Sequence, residues 1–268
     1  MTNNKNLSGK QISSINLLID SVNNKQLKDF GKINSEEKPD GSLITECDRW
    51  SDKTIVAGLN EITPGEGVLS EEGSKIVPNS DAYWIVDPLD GTTNFAAGIP
   101  YWSISIARFV NGYPESCFLD IPSLNKRFIA IQGKGVLLNN KKISSVDRNF
   151  FSSECVSLCS RSIKILQKNP SQKFPGKIRL LGVSSLNMTS VAIGQTYGAI
   201  EATPKIWDIA AAWLILKELK CLIKWLEENP SNLNKGSDLS AVNFPLIASG
   251  TQTNLERLNP WGELLIKR

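Results

Sequence analysis

The sequence predicts a mixed fold: an N-terminal half, residues 1–150, of α+β character and a C-terminal half, residues 151–268, of α/β character. Three observations carry this. Apolar residues recur at helical spacing near the start of the chain. Short apolar segments divided by turn residues follow, as in a mostly antiparallel sheet. From about residue 178 onward strand and helix patterns alternate, as they do in an α/β layer.

Taken in order, Ile12, Ile15, Leu18, Ile19 and Val22 mark one face of a first amphipathic helix. The stretch 36–42, with Pro39, Asp40 and Gly41, reads as a polar turn or loop. Thr45 then caps a second helix, with Asp48 at its third position, which runs to about Leu59 and stops at Pro64-Gly65. Strands are expected at 68–70, 83–86, 102–107, 115–119 and 127–131, and 102–107 alternates as a half-buried strand should. Residues 135–140 suggest a hairpin turning at the pair Asn139-Asn140. The first half is thus two helices laid against a sheet. In the second half 178–181, 197–201, 222–226 and 246–249 read as strands, and 184–194, 208–220 and 253–266 as helices, the last interrupted by Pro260. No glycine- or proline-rich linker marks the boundary near 150, and no internal repeat is found.

The 268 residues are 41% hydrophobic, enough for a sizeable core, and 21% charged without low-complexity tracts, which excludes disordered and fibrous classes. Thirty Lys+Arg against 27 Asp+Glu leave a net charge of +3, too weak to point to nucleic acid or an anionic membrane. No apolar run approaches the ~18–20 residues of a membrane span. The polar start Met1 to Asn6 is unlike a signal peptide, and five cysteines without a C-x-x-C suit a reduced, cytoplasmic protein. The sharpest count is zero histidines, which removes Ser-His-Asp and Cys-His nucleophiles and imidazole metal sites. Proton transfer and metal ligation must fall to carboxylates, hydroxyls, Lys, Cys or a metal-bound water.

Against that background the segment Asp87-Pro88-Leu89-Asp90-Gly91-Thr92-Thr93 stands out. A strand delivers Asp87, Pro88 sets a turn, Gly91 permits close backbone approach, and Thr92 and Thr93 open a helix. Two carboxylates and the Leu89 carbonyl make an oxygen set suited to Mg²⁺, and the amides of Gly91, Thr92 and Thr93 form an anion cradle. An ordinary Asp-Gly turn with an Asp cap fits the same residues. Glu71-Glu72 follows another short strand, and Asp208 begins a strongly apolar helix. Alone, the first is a solvated pair and the second an N-cap. Converging together, they would require divalent cations, and so metal-assisted chemistry on an anionic substrate such as a phosphate ester.

The order Glu71-Glu72, Asp87 to Phe95, then Trp207-Asp208-Ile209-Ala210-Ala211 resembles the inositol monophosphatase family, as do 38–48 and the pattern from Gly182 to Gly194 followed by Glu201. The resemblance spans roughly residues 10–220 and implies a layered αβαβα sandwich. It also implies Mg²⁺-dependent phosphomonoester hydrolysis with two or three ions, lithium sensitivity and a homodimer. By position it implies Glu71, Asp87, the Leu89 carbonyl, Asp90 and Asp208 as metal ligands. Thr92 with Glu71 would orient the attacking water. Gly91, Thr92, Thr93, Glu201 and Asp208 would meet the substrate, and Lys38 and Asp48 would lie near a third metal or the flap. The chain departs from the family at Glu218-Leu219-Lys220-Cys221, where Glu-Ala-Gly-Gly is usual, so the substrate wall is open. A small polyol or sugar phosphate, foremost myo-inositol monophosphate, is expected, with histidinol phosphate as runner-up. No nucleic-acid or membrane partner is expected. Two rival readings stand beside it: the C-x5-R of Cys155 to Arg161 as a thiolate phosphatase loop or a buried strand, and a catalytically inactive scaffold.

Overall fold

Ser8 opens the first helix. Its backbone N–H donates to the Gln11 side chain at 2.9 Å, while the Ser8 hydroxyl accepts the Gln11 amide. From that cap α1 (Gly9–Asp29) runs with Ile15, Ile19 and Val22 fully buried on one face. The computed structural model describes residues 6–39, 41–144 and 154–266, so the boundary near residue 150 and Asp40 lie outside the described residues. The expected polar loop at 36–42 is in part a strand pair: β1 (Ser35–Glu37) and β2 (Leu43–Thr45) form an antiparallel hairpin. Three exposed polar residues gave β1 no apolar pattern to read. Thr45 and Asp48 then build the expected capping box of α2 (Glu46–Ile62).

Two sheets follow. The first has seven strands in chain order: β3 (Gly67–Ser70), β4 (Ala82–Asp90), β5 (Ser103–Val110), β6 (Tyr113–Ile121), β7 (Lys126–Ile131), β8 (Gly135–Leu138) and β9 (Lys141–Ile143). Only β3 and β4 pair in parallel. Between β4 and β5 sits the short helix α3 (Thr92–Ala96). The β8–β9 hairpin turns at Asn139 and Asn140, with φ of 48° and 64°, the left-handed pair that asparagine tolerates and a tight hairpin requires. The second sheet is mixed, in the order β11-β10-β12-β14-β13: β10 (Cys155–Leu158), β11 (Lys177–Arg179), β12 (Gly198–Glu201), β13 (Leu222–Trp225) and β14 (Leu246–Ser249). Its helices are α4 (Lys164–Lys168), which the sequence pattern did not suggest, α5 (Ser184–Ala192), α6 (Ile206–Glu218) and α7 (Gln252–Ile266). Pro260 sits inside α7 without interrupting it, anchored between buried Leu258 and Trp261.

Strand alternation sorts these elements into five layers. Trp84 and Val86 of β4 pack with Ile106 and Phe118 under α1 and α2. Tyr83 and Ile85 face the other way, onto a core shared with α5, α6, Ala199 and Ala248. Ile200 and Ile247, on the far face of the second sheet, pack against α4 and α7 through Ile165, Leu258 and Trp261. The order is helix, sheet, helix, sheet, helix, with the apolar α6 in the middle. This corrects the expectation that 102–107 is half-buried: β5 is covered on both faces. Its serines mark where helices press close: Ser103 Oγ lies 2.7 Å from Ser185 Oγ, and Ser105 Oγ donates to the Trp207 carbonyl. No helix among the described residues is long and apolar enough to cross a membrane.

Candidate active site

The site grows from an irregularity in β4. Asp87 pairs with Ser105 and Asp90 with Ser103, so three steps on β4 span two on β5: one extra residue bulges out. Pro88, expected to set a turn, lies inside the bulge, where its missing N–H costs no ladder bond. The Leu89 amide donates to Asp87 Oδ1 at 3.0 Å, locking the bulge around that carboxylate. Gly91 follows at φ 104°, and a Cβ there would stand 2.8 Å from Val183 Cγ2 and 3.0 Å from the Tyr101 carbonyl. Only glycine closes the turn into α3.

Glu71 and Asp208 come to Asp87 by separate routes. Because β3 pairs in parallel with β4, Ser70 opposite Val86, the next residue emerges beside Asp87, and the Glu71 amide donates to the Val86 carbonyl at 3.1 Å. Asp208 is the third residue of α6 and accepts the Lys205 amide at 2.8 Å. Carboxylate oxygens of Glu71, Asp87 and Asp208 all lie within 4.8 Å of one another. Asp90 is nearby but turned aside: its Oδ2 accepts both the Ser185 amide, at 2.9 Å, and the Ser185 hydroxyl, at 2.5 Å. Leu89 accepts the Thr92 hydroxyl on its carbonyl at 3.2 Å.

Burial holds these acids toward their neutral forms. Asp87 and Asp208 are raised well above the usual carboxylate range, first by burial and then by neighbouring acids. Burial lifts Asp90 to about 6 against its bonds to Ser185. Glu71 is pushed up to about 7 by burial, with Lys38 working against it and Glu72 with it. The Lys38 ammonium bridges Glu71 Oε1 at 2.9 Å and Glu72 Oε1 at 2.5 Å. The expectation that the cluster has no counter-charge but a metal is therefore corrected: Lys38, in the turn of the β1–β2 hairpin, supplies one. Burial would lower the Lys38 pKa, but Glu71 and Glu72 outweigh it and raise it.

Thr92 and Asp48 form a pair. Thr92 Oγ1 donates to Asp48 Oδ1 at 2.7 Å, and Asp48 Oδ2 accepts the Thr45 amide at 2.9 Å. The Thr92 hydroxyl is thus bonded to Asp48, because the capping box of α2 aims the free Asp48 oxygen at α3. Asp48 is raised by its burial. Thr93 is exposed at the start of α3. Glu201 is 1% exposed, with Oε2 accepting from Ser184 at 2.9 Å and Oε1 from Asn187 at 2.7 Å, and burial lifts it to about 7. Both of its carboxylate oxygens are thus engaged by side chains of α5. Ser185, Asn187 and the Asp48–Thr92 pairing escaped sequence reasoning. The only signal was the T-x-x-D box, which reads equally as a plain cap.

The residues fit a hard divalent cation. The donors are all oxygen, three come from different elements, and each is a carboxylate whose ionisation burial opposes and a cation would restore. Glu71 and Asp208 open on a cavity of about 320 Å³ that Lys38, Lys75, Arg161 and Trp207 also line. Comparison with known proteins agrees with this chemistry. The model of the inositol monophosphatase family matches residues 11–258. A Thermotoga maritima protein named fructose-1,6-bisphosphatase/inositol-1-monophosphatase is 34% identical over 193 residues, 70% of this chain and 74% of its own. A Xylella fastidiosa relative named Nus factor SuhB is 30% identical, covering 78% of this chain and 80% of its own. Among solved structures, an IMPase/NADP phosphatase complexed with Mg²⁺ and phosphate is similar at TM-score 0.74 and 26% identity, over 93% of this chain and 94% of its own.

Proposed function

The chain belongs to the inositol monophosphatase family, and from that premise we propose that it is a Mg²⁺-dependent phosphomonoesterase acting on a small polyol or sugar phosphate such as myo-inositol monophosphate. The observation that carries this reading is the convergence of Glu71, Asp87 and Asp208 oxygens within 4.8 Å at the head of a pocket. Those three would hold the metal, with Asp90 and the Leu89 carbonyl completing the set once Asp90 turns from Ser185. Two or three ions would be accommodated, the third near Glu71, Glu72 and Asp48. Bound Mg²⁺ supplies acidity to water and charge to offset the phosphate.

The chain's own groups do the rest. Thr92 Oγ1, already bonded to Asp48, is placed to accept a proton from the attacking water and pass it to that carboxylate, whose raised pKa suits it as acceptor. Gly91 and Thr93 offer backbone amides at the start of α3 to the phosphate. Lys38 must leave Glu71 for a metal to enter, so the β1–β2 hairpin acts as a flap. Glu201 holds Ser184 and Asn187 and so shapes the wall at α5. A homodimer is supported by Tyr101 and Leu124, 37% and 42% exposed, which border an apolar hollow of about 270 Å³. A cytoplasmic protein without nucleic-acid partners suits the weak net charge, although the name of the Xylella fastidiosa relative favours a second reading, a partner in transcription.

The test is a screen of phosphate monoesters with Mg²⁺ and with chelator. Turnover that needs the metal and stops in EDTA is expected, and turnover undiminished in EDTA would overturn the reading. Asp87→Asn separates the two roles, because a purely transcriptional partner keeps its binding while an enzyme loses its turnover.

A further inference from the structure

The C-x5-R of Cys155 to Arg161 forms strand β10 and the 3₁₀ turn Ser160–Ile163, not a thiolate loop. Gln26, which belongs to no motif, bears on the site more directly. It is fully buried near the end of α1, and its Nε2 donates to the Pro88 carbonyl, inside the β4 bulge, at 2.8 Å. The same nitrogen lies 3.2 Å from Ser51 Oγ, so each of its two hydrogens has an acceptor. Its Oε1 accepts the Trp102 indole N–H at 3.0 Å. An indole N–H can only donate, so Trp102 fixes which end of the amide faces Pro88. Trp102 is itself held: Phe30 stacks on it at 4.4 Å between ring centroids, and Phe95 meets it edge-on at 5.2 Å. The Leu89 side chain packs into this same buried cluster.

The peptide joining Pro88 to Leu89 is therefore gripped at both ends. It is trans, and a trans peptide is planar with its C=O and N–H pointing in opposite directions. Gln26 holds the carbonyl on one side, which directs the Leu89 N–H to the other. There it donates to Asp87 Oδ1 at 3.0 Å. Rotation of this one plane would take the Asp87 carboxylate's backbone donor away and shift the neighbouring Leu89 carbonyl. A glutamine that merely braced α1 against the sheet would affect stability alone. One that grips this peptide also governs where a cation ligand points.

We propose that Gln26, oriented by Trp102, is a positioning residue: through the Pro88–Leu89 peptide it aims the Asp87 carboxylate and so sets the affinity of the carboxylate cluster for a divalent cation. The proposal rests on the metal-dependent reading of the site. Its test uses Mg²⁺ alone, without substrate. Melting temperature followed as Mg²⁺ is raised gives Kd, and its metal-free value gives stability. Gln26→Met keeps an unbranched side chain but removes the donor, and Kd should rise about tenfold to a hundredfold. Trp102→Phe leaves the amide without its orienting donor, and Kd should rise by a smaller factor. Ser51→Ala removes a bond to Gln26 but none to the bulge, so it should melt lower with Kd unchanged. A native protein whose melting ignores Mg²⁺ overturns the metal reading and this proposal together. A native response with Kd unmoved in Gln26→Met, however far its metal-free melting falls, overturns the proposal alone. So does a Kd that rises equally in Ser51→Ala. If Gln26→Met does not fold, Trp102→Phe decides: a raised Kd supports the proposal, and an unchanged one overturns it.

Discussion

The two sheets bury their acids in opposite ways. On the five-stranded sheet, Glu201 is sealed in with a donor on each oxygen, Ser184 on one and Asn187 on the other. Toward the end of β4 in the seven-stranded sheet, Asp87 has one backbone donor and otherwise faces Glu71 and Asp208. Burial lifts both kinds of acid, so the pKa does not tell them apart. What differs is the neighbour. A buried acid met by donors braces the fold, whereas one met by other acids keeps a place for a cation at a cost in stability.

The largest effect should come from erasing that difference. Asp87→Asn and Asp208→Asn remove a ligand and one of the crowded charges. With Mg²⁺ each should lower kcat by about a thousandfold or more, while the metal-free protein melts at the same temperature or higher. Glu201→Gln should behave conversely in melting, because an amide NH₂ would then confront a donor from Ser184 or Asn187, costing about 1–3 kcal/mol. Calorimetry of the three metal-free variants decides the point. Equal loss of melting temperature in all three would abolish the distinction.

Next in size is Thr92→Ala. The hydroxyl bonds Asp48 at 2.7 Å, while the amides of α3 do not depend on it. Steady-state kinetics should show kcat falling about a hundredfold, the usual scale for a lost proton acceptor, with KM within a few-fold. Asp48→Asn should follow the same pattern. A strong rise in KM at constant kcat would instead make Thr92 a phosphate-binding group.

The acids were legible in the sequence because each follows or begins a regular element: Asp87 within β4, Glu71 after β3, Asp208 in the first turn of α6. Local chemistry also disclosed the α2 cap, the Asn139-Asn140 turn and the demand for glycine at 91. Contacts made across the layers stayed hidden. Ser185 meets Asp90 across 95 residues, Lys38 meets Glu71 across 33, and Arg161 reaches Thr203 across 42. No periodicity encodes such pairs, since α5, the flap and the 3₁₀ turn are brought to the site by the packing of two sheets on α6. The bulge at Pro88 was misread for a related reason: a proline after a strand signals a turn unless a neighbouring strand continues past it, as β5 does to Ser103.

The smallest effect is also the most discriminating, and it concerns pH. Glu71 and Glu201 both sit at about 7 in the folded protein, and Asp90 at about 6, above the ordinary carboxylate range of the unfolded chain. A raised acid is neutral in both states at low pH and carries no penalty there. As pH climbs through the folded value the penalty is complete, so these three acids should cost the metal-free protein stability between about pH 4 and 7. Lys38, raised above the ordinary lysine value, stays charged throughout that window and adds no slope. Mg²⁺ binds the ionised acids and adds stability as RT ln(1 + [L]/Kd), so it should cancel the part of the fall that belongs to the cluster. The part that belongs to Glu201, which faces Ser184 and Asn187, should remain. Melting curves recorded with Mg²⁺ from pH 5 to 8 should therefore lie flat only in Glu201→Gln, where the residual slope disappears, while the metal-free curves still fall. If Mg²⁺ flattened the curve completely in the native protein, Glu201 would belong to the cation site and the contrast between the two sheets would fail.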